Sequence, residues 1–419
     1  MADLTTLLAK MPKTGPAWLQ TARADAKARL EDMGLPARRD EYWRWTRADN
    51  LVSETPATSE PYDHKGEALV FDALDRVRIT FVDGVFDPEQ SDDLALEGLE
   101  ISRLADAGDD HWVEDSFAQH ERAAQSPVPR PLGVLNTALA SDGVLIRAHK
   151  TVEKPVSIIY RTVKNDGDSQ LRHVVQVEKG AEVTVLENGI ASARLNSVME
   201  VTVEDGGTFH HVRAQGRDHD RHMATHIFGS IGEDATFKSF TLSVNGALTR
   251  NESFLNIQGD NSVAHIAGAV VGDGTFHHDD TVFVIHDAQN CESRQVFKKV
   301  LMNGAKGIFQ GKILVKPDAQ KTDGYQISQS LLLDDESQFL AKPELEIYAD
   351  DVACSHGSTT GAIDDDALYY LRSRGVPLVD AQDLLVMAFL AEALEEIERD
   401  DIREDLQSRL ENWFKRRRV

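Results

Sequence analysis

Cys354 and His356 stand one residue apart in the run Tyr348 to Gly357, Y-A-D-D-V-A-C-S-H-G, and Cys354 is one of only two cysteines in the chain. In an extended strand, residues i and i+2 share a face, so thiol and imidazole project together from backbone positions roughly 6 to 7 Å apart. A thiolate beside an imidazole suits a soft metal or a metal-sulfur intermediate. A Cys-His hydrolase is the enzymatic alternative. Its nucleophile and base normally converge from different segments with a third orienting group, and strand neighbours two apart stand far for a direct hydrogen bond. The plain alternative is a buried thiol beside an unrelated surface histidine.

The other chemistry-bearing groups give weaker patterns. In His210-His211 and His277-His278, adjacent strand residues point to opposite faces, so neither pair is expected to chelate one metal through both rings. His219, His222 and His226 have helix-compatible spacing, but Gly216, Asp218 and Asp220 favour a loop there. Gly304 to Lys312 (G-A-K-G-I-F-Q-G-K) invites a phosphate-loop reading, yet Ile313 stands where the magnesium-binding Ser or Thr belongs. A turn with glycines at tight bends is expected instead, so any ATP used with this chain must be hydrolysed by a partner. Carboxylates are plentiful without forming an evident pair, which leaves a carbohydrate-active β-helix enzyme as a second enzymatic alternative.

These groups sit in a 419-residue chain with 45 Lys plus Arg against 70 Asp plus Glu, a net charge of -25. That balance repels phosphate backbones and anionic lipid, so neither nucleic acid nor a membrane surface is an expected partner. The basic tail Lys415, Arg416, Arg417 and Arg418 reads as a cationic helix end. Two thiols in so long a chain are no disulfide framework, which fits a reducing cytoplasm. Met1 to Pro12 lacks the apolar core of a secretory signal, and no stretch approaches the roughly 20 apolar residues of a membrane span.

The positioning elements fall into three regions, 1–130, 131–360 and 361–419. In the first, Thr14 can cap a helix with Pro16 near its first turn and Trp18, Ala22, Ala26 and Leu30 at helical spacing before Gly34. Mixed structure follows, with a strand from Val77 to Val82 and a turn at Asp83-Gly84. In the second, β-rich runs alternate with Gly, Asp and Asn turns, and small residues at Ala181, Gly207, Ala235 and Ser262 recur roughly every 26 to 28 residues. That period predicts a parallel β-helix, with a β-sandwich as the alternative. In the third, Leu390, Leu394 and Ile397, then Ile402, Leu406, Leu410 and Trp413, form apolar stripes that either cap the terminal coil or dock a partner.

Longer motifs sharpen the reading. Cys291 to Gln295 (C-E-S-R-Q), Lys321 to Gly324 (K-T-D-G), Lys342 to Asp351 (K-P-E-L-E-I-Y-A-D-D), Cys354 to Gly357 (C-S-H-G) and Tyr369 to Gly375 (Y-Y-L-R-S-R-G) together make the chain from about His286 to Gly375 resemble the SufB/SufD family of the Suf iron-sulfur cluster assembly machinery, on its SufD side. Weaker similarity covers nearly all the rest of the chain, including Gly34-Leu35-Pro36, Arg39 to Trp43 and Phe81 to Gly84. The resemblance implies a mainly β fold, a right-handed parallel β-helix core with helical N-terminal and C-terminal regions. It implies a non-catalytic scaffold that pairs with SufB, binds the SufC ATPase through its C-terminal helices, and assists iron acquisition and cluster assembly at the SufB-SufD interface. His356 matches the family's interface histidine and is the expected ligand for a transient iron or iron-sulfur cluster shared with SufB, with Cys354 the weaker second candidate and Cys291 structural. Ser328, where SufB carries a cysteine, and Ser355-His356-Gly357 in place of E-H-E separate this chain from SufB. No tightly bound group is then expected in the isolated chain, which can homodimerise when alone. A homodimeric iron-binding protein is the remaining alternative.

Overall fold

The computed structural model describes residues 2–60, 68–216 and 220–417; Asp218, His219 and Arg418 lie outside them. From Val77 to Gly361 the chain alternates between two sheets, one of ten strands and one of nine. Apart from a hairpin closed at Val82↔Val85 and the antiparallel pairing of Leu99–Arg103 with Val144–Ala148, the paired strands run parallel. Successive coils stack in register, Thr208 on Thr236, Val263, Glu292, Asp323 and Ala353 in turn. This is a parallel β-solenoid rather than a sandwich, and it begins early, because Val77–Val82 pairs parallel with Val156–Arg161.

One corner explains the sequence period. The small residues Ala181, Gly207, Ala235 and Ser262 each follow a residue of left-handed backbone, Gly180 (φ 68°), Gly206 (φ 67°), Asp234 (φ 53°) and Asn261 (φ 60°). Gly, Asn and Asp adopt that conformation at least cost. Each left-handed residue donates its N–H to a carbonyl of the next coil, as in Gly206 to Glu233 (2.7 Å) and Asn261 to Gln289 (2.9 Å). The ladder continues through Asn290 and Cys291, so Cys291 is a corner residue, 1% exposed, with its thiol donating to the Gly259 and Gln289 carbonyls at 3.3 and 3.2 Å. Burial raises the pKa of this thiol, which keeps it protonated. The Gly304 segment is likewise a corner, with Gly304 at φ 85° before the strand Lys306–Val315.

Among the described residues, α-helices α1 (Leu4–Leu8), α2 (Ala17–Met33), α3 (Gln119–Ala123), α4 (Pro131–Leu139), α5 (Asp365–Ser373), α6 (Leu378–Leu394) and α7 (Asp400–Arg417) flank the sheets. None is long and apolar enough to cross a membrane. In α2 the buried face is Ala22, Ala26 and Leu30, as the spacing requires, but Thr14 is not the cap. Pro16 occupies that position, and Thr14, two residues too early, instead offers its carbonyl to Arg23 (2.6 Å). The C-terminal stripes neither cap the last coil nor stay free. Leu390, Leu394, Ile397, Ile402, Leu406 and Leu410 pack on the outer flank of the ten-stranded sheet, against Val212, Phe240 and Val296. The final strands Gln338–Ile347 and Ala353–Gly361 therefore remain the open ends of both sheets.

The lumen mixes a dry core, including Val183, Phe209, Phe237 and Val284, with buried charge. Glu187 accepts from His211 Nε2 (2.8 Å), Arg213 Nε (2.9 Å) and the Tyr160 hydroxyl (2.6 Å). Burial alone would raise its pKa, and Arg213 and His211 reverse this, holding the carboxyl well below the usual range. Burial pushes His173, His226 and His286 down to about 4. An unfolded histidine titrates near pH ~6.5, so between pH 6.5 and 4 the unfolded chain binds more protons than the folded one, and stability falls as pH falls. Each histidine is expected to contribute on the order of 2 kcal/mol of this loss by pH ~5. Urea midpoints should fall stepwise from pH 7.5 to 5; a flat profile would contradict the buried neutral state.

Candidate functional site

The sheet topology places Cys354 and His356 on the last strand of the ten-stranded sheet, Ala353–Gly361, beside Gly324 and Gln326 of the preceding coil. Cys354 turns into the lumen and packs with Ile313, Leu345 and Ala349. The glycine at 324 makes room for it: a Cβ there would lie 3.1 Å from the Cys354 sulfur. Burial, with Asp323 nearby, raises the pKa of this half-buried thiol. Alternation puts His356, Ser358 and Thr360 on the same side, and the hydroxyls of Ser328 and Ser330 donate to those of Ser358 and Thr360, both at 3.1 Å.

His356 is exposed, and its ring has no hydrogen-bond or ion-pair partner among the described residues. Behind it Gln326 is fully buried and donates to Gln295 (2.7 Å), while the Gln326 side-chain oxygen is buried without a partner. The site thus presents a free imidazole at the rim and a thiol one step inside. Among the described residues no group of three or more His, Cys, Asp or Glu side chains converges to hold a metal ion. Two donors fall short of the four that a tetrahedral soft-metal centre takes.

The other histidines are engaged elsewhere. His211 and His278 point into the lumen, to Glu187 and to Lys299, while His210 and His277 point outward, to Glu398 and to Thr46. His222 opens the strand His222–Ile231, and His226 on it is buried against Glu252 (3.4 Å), so strand pairing rather than a loop sets their places. The N-terminal segment also reaches this end of the molecule. Lys342 lies 3.9 Å from the centre of the Tyr42 ring and bonds Glu41 (2.6 Å), while the Tyr42 hydroxyl donates to Glu344. Two motifs separated by about 300 residues of chain thereby clamp the last strand of the nine-stranded sheet. Neither this clamp nor Gln326 carried any signal in the sequence, because both depend on register.

Residues 160–389, more than half of the chain, match the family model described as SUF system FeS cluster assembly, SufBD core domain. The chain belongs to the SufBD family. It is 30% identical over 387 residues to the iron-sulfur cluster assembly protein SufD of Escherichia coli, covering 90% of this chain and 89% of the relative. It is 27% identical over 419 residues to SufD of Bacillus subtilis, covering 96% and 95%. A SufBD family protein of Synechocystis is 27% identical over 404 residues, covering 90% and 87%. The matched segment contains both Cys354 and His356, and the family works in iron-sulfur cluster assembly.

Proposed function

We propose that the chain is a non-catalytic scaffold subunit that contributes His356, backed by Cys354, to a transient iron or iron-sulfur site completed by SufB across the open end of the solenoid. The observation that carries this reading is an exposed, unpartnered imidazole on an uncovered terminal strand. Iron and the nascent cluster are cargo here, and SufB supplies the missing ligands. The 361–419 region, as α5 and α6, holds the SufC ATPase, and the whole complex works in the cytoplasm.

The open edges have the chemistry of an interface. The Ala353 N–H donates inward to Thr322 (2.8 Å), so the alternate residues Cys354, His356, Ser358 and Thr360 turn their backbone groups to the free edge. On the other sheet Gln338 donates inward to Ala305 (3.0 Å), which places Pro343, lacking an N–H, at a position whose N–H would face outward. Ile347 and Tyr348 are exposed beside these edges. An unpaired edge of this length pairs with another strand. The isolated chain can satisfy it with a second copy, and in cells SufB takes that place.

Thr360→Pro removes one outward N–H and spares the inward ladder. It is expected to weaken pairing with SufB at least 10-fold while the thermal midpoint shifts by only a few degrees. Co-purification of the chain with tagged SufB and SufC tests the reading as a whole. Recovery of the chain free of both, with normal cluster maturation in cells, would overturn it.

A further inference from the structure

On the outer face of the nine-stranded sheet, the segment Arg38–Asn50 lies over the first residues of successive strands and borders a half-open cavity of about 510 Å³. Its floor is a column of stacked coil positions, His222, Leu248, His277 and Lys306, spaced by roughly 4.8 Å per coil. Its roof carries Arg38, Arg44, Trp45 and Arg47. Among the described residues, no carboxylate lines the cavity. In a chain of net charge -25, four permanent cations gathered around one concavity run against the composition. Arg47 is partly neutralised by Asp49 (3.3 Å), whereas Arg38, Arg44 and Lys306 have no ion-pair partner among the described residues.

The roof is fixed rather than draped. Thr46 is buried, its hydroxyl donates to Asp279, and its oxygen therefore accepts from His277 Nε2 at 3.1 Å. This pins the residues on either side, Trp45 and Arg47, to the sheet. The half-buried Trp45 indole adds an aromatic surface to the cationic lining. Cavities of roughly 300 to 1,000 Å³ take small ligands and cofactors. Guanidinium and ammonium groups recognise phosphate oxygens, and an indole stacks on a base.

We propose that this cavity binds a phosphorylated nucleoside, with its phosphates on Arg38, Arg44 and Lys306 and its base against Trp45. The site is independent of the cluster-ligand reading. A long nucleic acid is disfavoured because the chain's overall charge opposes its backbone.

Calorimetric titration of the isolated full-length chain with ADP, inorganic pyrophosphate and adenosine, at about 0.15 M salt, tests the proposal. Saturable binding of ADP at one site is expected. The double variant Arg44→Ala, Lys306→Ala should weaken ADP and pyrophosphate at least 10-fold, and Arg38→Gln, at an exposed position, should weaken both with the fold intact. Trp45→Ala should weaken ADP about 5-fold and leave pyrophosphate unchanged. Absence of saturable ADP binding, or binding that ignores the charge variants, would overturn the proposal. Equal affinity for pyrophosphate and ADP with no effect of Trp45→Ala would overturn its nucleoside part.

Discussion

His356→Ala is expected to leave the chain folded and joined to its partners while lowering cluster maturation in cells at least 10-fold. The physical basis is the separation of stability from function at this position. His356 is exposed and bonds nothing among the described residues, so its loss should change stability by no more than about 0.5 kcal/mol. A ligand to a shared metal, by contrast, cannot be replaced by a methyl group, and even the partners that orient such ligands are typically worth roughly 10- to 100-fold in affinity. Cys354→Ser should do less to maturation and more to stability, because the Cys354 sulfur packs against Ile313 and Leu345. Complementation of a strain lacking the chain, scored by activity of an iron-sulfur enzyme, separates the two substitutions. Full complementation by His356→Ala would remove this residue from the site.

The second large effect concerns the proposed docking of the SufC ATPase. Helix α6 is apolar on two sides. Val386, Leu390 and Leu394 are buried on the solenoid flank, while Leu378, Val379 and Leu384 face solvent. Helix α5 buries no residue at all and exposes Tyr369, at 75%, and Tyr370. Apolar and aromatic side chains displayed in this way are what a protein interface uses as anchors. Tyr369→Asp combined with Leu384→Asp is expected to weaken SufC binding at least 100-fold while SufB pairing survives. Deleting everything after Gly361 is a poorer experiment, because it also strips α6 and α7 from Val212, Phe240 and Val296 and exposes the flank of the sheet. Retention of SufC by the double variant in a pull-down, with an unchanged melting curve, would place the ATPase elsewhere.

The solenoid was legible because its corners repeat a chemical requirement. A left-handed residue followed by a small one must recur once per coil, and Gly180-Ala181, Gly206-Gly207, Asp234-Ala235 and Asn261-Ser262 meet it with the residue types that accept that backbone. The pattern fades toward the end of the chain. Lys321 takes the left-handed position without the usual side chain, and the coil lengthens from 26 residues between His222 and Leu248 to 32 between Lys306 and Gln338. Register there cannot be read by counting, which hid Gln326 behind His356 and the clamp of Tyr42 on Lys342 and Glu344. The shared face of Cys354 and His356 was legible from their spacing alone. Their openness to a partner was not, since it depends on where the C-terminal stripes dock. Those stripes read equally well as a cap or a partner surface, and their packing on the flank of the sheet appears only in the fold.

Iron bound per complex after anaerobic reconstitution, with acid-labile sulfide measured alongside, tests the shared site most directly when the isolated chain, the assembled three-subunit complex and the complex carrying His356→Ala are compared. Iron and sulfide should be retained only by the assembled complex with His356 in place. Stoichiometric iron in the isolated chain, or equal retention by the His356→Ala complex, would contradict a site divided between two subunits.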